Sequence, residues 1–106
     1  DVTDEGHLVF ASAIDEGMVL NLAEEKPIVA HLEKHLAALS SPEVPAMILG
    51  FECLFRRMAS AQSGCTAEVS RLLQSNRLVG FSTYGEQYNS LHVNQTLVGV
   101  ALYPAL

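Results

Sequence analysis

The sequence predicts an α+β domain: a mostly antiparallel sheet of about five strands, ordered β-β-α-β-α-β-β, with two helices packed on one face. Three observations lead there. Apolar runs of strand length stand near the beginning, in the middle and at the end of the chain. Two stretches between them repeat apolar residues at helical spacing instead. Strands at both ends with helices between them place the helices together on one side of a sheet.

Each element has its own grounds. His7–Ala13 and Met18–Leu22 are apolar and β-branched, with Asp15-Glu16-Gly17 between them as a hairpin turn. Glu24-Glu25-Lys26-Pro27 signals a helix start, and Ile28, Val29, Leu32, Leu36 and Leu39 then form one stripe about 100° wide. Ser40–Pro45, with two prolines, ends that helix. Ala46–Cys53 is almost continuously apolar, the pattern of a central strand buried on both faces. Leu54–Gln62 turns polar and basic, with Arg56 and Arg57 adjacent, before Gly64 interrupts. Thr66 can cap a second helix whose buried side is Val69, Leu72 and Leu73, with Asn76 as its C-terminal cap. Residues 77–83 and 91–103 are the last two strands, joined by the polar stretch around Tyr84-Gly85-Glu86.

Composition limits what such a fold can do. With 49% hydrophobic and 17% charged residues, 106 residues make one packed domain rather than a disordered chain. The absence of Trp makes its core mainly aliphatic. Twelve acids against six bases argue against a nucleic-acid backbone or an anionic membrane as partner. No apolar run approaches the roughly 20 residues that span a bilayer, and no signal peptide is present. Cys53 and Cys65 are too few for a disulfide framework and read as reduced cytoplasmic thiols. A chain beginning at Asp1 is expected to be a piece of a longer protein.

The hydrogen-bonding side chains gather in Gly80–Thr96, GFSTYGEQYNSLHVNQT. On one continuous strand, His92, Asn94 and Thr96 point to one side and must be satisfied by one another or by a ligand, with Tyr84 and Glu86 nearby. His31 and His35 share a helix face at metal-ligand spacing, but no Glu follows His31 at the second position and no third ligand is evident, so solvated histidines are expected. Cys53 precedes Arg56 and Arg57, which could activate a thiol, although a buried core cysteine is the commoner outcome. Glu52 and Glu86 would form a carboxylate pair only if folding joins them. Asn94-Gln95-Thr96 matches a glycosylation triplet by coincidence. No phosphate loop or nucleophile elbow is present, and an enzyme is not expected.

Ile48–Arg57 (ILGFECLFRR), Glu68–Leu73 (EVSRLL) and Val79–Leu102 (VGFSTYGEQYNSLHVNQTLVGVAL) resemble the C-terminal part of FIST proteins ("F-box and intracellular signal transduction"), as does Ile14–Leu22 (IDEGMVLNL). The resemblance implies a bacterial cytoplasmic sensory module joined to a histidine-kinase, methyl-accepting or cyclic-di-nucleotide output domain, with the N-terminal FIST region outside this chain. It implies a small-molecule ligand such as an amino acid. Arg57, Tyr84, Gly85, Glu86, His92 and Asn94 are then the family's characteristic polar positions, and Arg56 or Arg57 could hold a carboxylate while Glu86 takes an amine. A subset of the family is similar to haem proteins that sense nitric oxide, which here would make His92 the preferred axial ligand and Cys53 the reserve. A third expectation is a ligand-free docking module that forms a homodimer by pairing sheet edges.

Overall fold

The structure, a computed structural model, describes residues 1–105. Helix α1 (Ile28–Leu39) leads to strand β1 (Met47–Cys53), and helices α2 (Leu54–Gln62) and α3 (Thr66–Ser75) follow. Strand β2 (Leu78–Thr83), the short hairpin β3 (Glu86–Tyr88) and β4 (Leu91–Val93), and strand β5 (Leu97–Leu102) complete the order. The α+β class is as expected, but the sheet is not five-stranded and antiparallel. It has three strands in the order β2-β1-β5, with β1 parallel to β2 and antiparallel to β5, and β3-β4 form a separate pair. Two helices between β1 and β2 supply the crossover that parallel strands require.

Pairing fixes which side chains share a face. Ile48 lies beside Leu78 and Ala101, Gly50 beside Gly80 and Gly99, and Glu52 beside Ser82 and Leu97. This is the inner face, and α1 and α3 pack on it. Leu32 and Leu36 of α1, Ile48 of β1 and Val69 of α3 are buried together there, with Leu72, Leu73 and Leu78 against them. The α1 stripe therefore does what its spacing predicts. The other face carries Met47, Leu49 and Phe51 of β1, Val79 and Phe81 of β2, and Val98, Val100 and Leu102 of β5. It is covered only at its far end, where Cys53 is fully buried and Thr83 donates to the buried Glu86, so β1 is central, as expected, but most of its outer face stays open.

Three further expectations are corrected. Residues 7–22 form no hairpin: the Asp15–Met18 turn closes, but the only pairing among residues 1–27 is a single Val2–Leu8 bridge. That segment extends outward as an arm, and the radius of gyration is 16.0 Å against about 13 Å for a compact chain of this length. Leu54–Gln62 is a third helix where two were expected. Its buried position is Ser60, a small polar residue, so no apolar stripe announces it. Thr66 is the first residue of α3 rather than its cap, and its hydroxyl meets Ser60 Oγ at 3.3 Å. Asn76 does close that helix, donating from Nδ2 to the Leu72 carbonyl at 2.8 Å.

The three central positions of the inner face are glycines, and the Leu78 side chain leans over the buried Gly50. A Cβ on Gly80 would fall on the Gly50 carbonyl oxygen, and one on Gly99 would lie 2.5 Å from the Leu49 carbonyl. Both clashes are with backbone, which cannot swing aside. Gly80→Ala is therefore expected to cost about 3 kcal/mol, the upper range for overpacking, read as a lower urea midpoint. An unchanged midpoint would show that the strands separate at no cost.

Candidate functional site

The glycine row leaves a trough between sheet and helices. It comprises two adjoining clefts of about 530 and 460 Å³ that share Gly50, Leu78 and Leu97. The first runs between α1 and β5 over Leu32, Leu36 and Ala101, with His31, His35 and Arg56 on its rim. The second faces α3 and holds Glu52, Arg57, Ser60 and Ser82. Apolar walls with a few polar groups at one end are the usual make-up of a small-molecule site.

The polar end is created by an abrupt change of structure. Strand β1 ends at Cys53 and α2 begins at Leu54, so no loop separates Glu52 from Arg56 and Arg57. Glu52 Oε1 and Arg56 Nε stand 3.6 Å apart, an ion pair too long for a hydrogen bond. Both atoms are buried, and neither has a hydrogen-bond partner among the described residues. Burial pushes the Glu52 carboxyl above its ordinary pKa, and Glu86 adds to that, while Arg56 and Arg57 oppose it.

The six positions expected from the sequence separate into groups. Arg57 is exposed and donates from Nη1 to Ser82 Oγ at 3.4 Å, at the mouth of the second cleft. Tyr84 is 85% exposed and points into solvent. Glu86 is 4% exposed and spent internally: it accepts from Thr83 Oγ1 and, at 2.8 Å, from Thr96 Oγ1. His92 and Asn94 lie over Gly85, where a Cβ would strike the imidazole, and Asn94 Oδ1 is buried without a partner among the described residues. The expected single face of His92, Asn94 and Thr96 does not form. Strand β4 stops at Val93, and Gln95 takes a φ of 55°, which reverses the alternation and turns Thr96 towards Glu86. Residues 86–93 form a hairpin of their own, turning at Asn89 and Ser90 with φ of 49° and 63°.

Other candidates are also placed. His31 and His35 face one another with Nε2 atoms 3.1 Å apart, and the described residues contain no group of three or more metal-ligating side chains. Desolvation holds the His31 pKa down, reinforced by His35 and Arg56. Cys53 is 0% exposed, which encloses rather than activates its thiol. Haem does not fit the residues expected for it, because His92 lines neither half of the trough and Cys53 is sealed in. The glycine row and the Glu52–Arg56 pair are the features that sequence reasoning missed. The visible signal was one repeated pattern, a glycine between apolar residues in LGF, VGF and VGV.

These features define an α+β domain with helices on one face of a short sheet and an open trough beneath them. A family model described as "FIST C domain" matches residues 1–89, and the chain belongs to that family of signal-transduction sensor domains. His92, Asn94 and β5 lie beyond the matched segment. No curated protein and no solved structure matches the chain. No helix among the described residues is long and apolar enough to cross a membrane.

The raised pKa of Glu52 gives a sign to the pH dependence. Between the ordinary glutamate value of 4.5 and the raised one, folded Glu52 keeps a proton that the unfolded chain releases. Stability falls as pH rises through that window. Glu52→Gln is expected to flatten this part of the urea-midpoint profile and to equal or exceed the parent at neutral pH. A steeper fall in the variant would overturn the assignment.

Proposed function

We propose that this chain is the small-ligand-binding part of a bacterial cytoplasmic signalling protein, and that its ligand carries a carboxylate and an amine, as amino acids do. The reading rests on one observation: Glu52 Oε1 and Arg56 Nε are buried at one end of a glycine-floored trough with no hydrogen-bond partner among the described residues. A buried ion pair whose hydrogen bonds are unmade is costly, and a zwitterion supplies a hydrogen bond to each half at once. Its carboxylate takes the Arg56 guanidinium, supported by Arg57. Its amine takes Glu52, the role the sequence suggested for Glu86. The apolar floor takes the rest of the molecule. Gly85, His92 and Asn94 shape the neighbouring hairpin, and Tyr84 contributes no contact inside the trough. The partner that reads the bound state is an output domain of histidine-kinase or cyclic-di-nucleotide type.

The test is calorimetry with a panel of amino acids and their amides and esters. Arg56→Ala and Glu52→Gln should each weaken binding about 10- to 100-fold, the loss of one charge-assisted hydrogen bond, while Tyr84→Ala leaves it unchanged. Binding indifferent to both substitutions, or no binding by any member of the panel, would sink the proposal.

A second reading has one observation in its favour. The His31–His35 pair borders the apolar half of the trough, so a haem, if bound, would take one of these two as an axial ligand rather than His92. Hemin titration should then give a Soret shift lost in His31→Ala/His35→Ala and kept in His92→Ala. No shift, or the opposite dependence, disposes of it.

A further inference from the structure

Both faces of this sheet are apolar, but the outer one is covered only at its Cys53 end. An antiparallel sheet with a solvated face normally alternates apolar with polar residues, and here the outward positions are as apolar as the inward ones. Phe81 is 63% and Val100 54% exposed, and Phe51 and Phe81 touch edge to face at 5.3 Å on the same surface. Three adjacent strands make the patch contiguous, several hundred Å² in all, the size that marks an interaction site rather than scattered surface residues.

We infer that this outer face is an interface between two copies of the chain, packed sheet against sheet about a two-fold axis. The argument for a second copy is electrostatic and geometric. Residues 28–106 hold five acids and five bases, so the whole net charge of −6 falls on residues 1–27, outside the helices and the sheets. The part carrying the patch is neutral, and the eight outward positions include no charge, so laying the face on its own copy opposes no like charges. Face-to-face sheets stack about 10 Å apart at an angle near −30°. Two such patches together bury roughly 1,000 Å², the threshold for a specific interface. The sheet edges, where self-association was expected from the sequence, are not what joins the copies. Of the outward residues, Phe81 and Val98 also border the clefts of the trough, whereas Val79 and Val100 touch neither and so report on the outer face alone.

Light scattering on the full chain tests it. The expected result is a species of twice the chain's mass at micromolar concentration. Val79→Asp or Val100→Asp should each weaken dimerisation by more than about a hundredfold, because the carboxylate would be buried unpaired. Both positions are exposed in the single chain, so circular dichroism should show both variants folded. A double substitution in the arm, Val19→Asp/Leu20→Asp, should leave the dimer intact. A monomer at all concentrations, a dimer that survives both sheet substitutions, or one abolished by the arm substitutions would each overturn the inference.

Discussion

The constraint on which the rest of this structure depends is the row Gly50–Gly80–Gly99 across the middle of the sheet. Side chains on the inner face occur only at its two ends, Ile48 with Leu78 and Ala101 at one and Glu52 with Ser82 and Leu97 at the other. The helices therefore rest on the apolar end, where Leu32, Leu36 and Val69 close over Ile48. They span the glycines without filling the space beneath. A strand with a bare centre loses packing and backbone entropy. Three such strands in register lose it three times, at a place that then stays open. The trough follows from this backbone arrangement before any polar residue is considered.

A second constraint holds the polar end together. Thr83 ends β2, Glu86 begins β3 and Thr96 precedes β5, and one buried carboxyl accepts from both hydroxyls. Through it the β3-β4 hairpin is tied back to the sheet from which it departs. Thr83 Oγ1 also lies 3.5 Å from the Glu52 carbonyl oxygen, so the same knot reaches the strand that carries the candidate site. A buried carboxyl satisfied in this way is structural, while one left half-satisfied is available. That difference in satisfaction, not distance along the chain, separates Glu86 from Glu52.

What could be read in the sequence follows from how each signal arises. Helix α1 and strand β1 were legible because burial on one side leaves a periodic or continuous apolar trace. Helix α2 left none, since its buried residue is Ser60, and polar residues at helical spacing look like a loop. The arm was misread for the converse reason. Residues 7–22 carry the propensity of strands, but a hairpin needs a surface to pack on, and two strands alone are marginal in water. The chemistry of Gly80–Thr96 was visible as composition, but its allocation was not. The left-handed turns at Asn89, Ser90 and Gln95 decide which polar groups meet, and a residue's sign of φ there is set by the fold.

The two faces of the sheet are joined by strand alternation. Along β1, Gly50 and Glu52 look into the trough while Leu49 and Phe51 look out, with one peptide between each pair. Glycine provides no side-chain cushion, so a molecule resting on the exposed Gly99 touches backbone that also carries outer-face residues. Backbone shifts on one face are then shifts on the other, because a close-packed strand moves as a unit. Linkage sets what this can do: a ligand alters association through the outer face only to the extent that it binds the two association states with different affinity. A sheet one layer thick, open on one side and bare-centred on the other, has little structure between those sites to absorb such a difference.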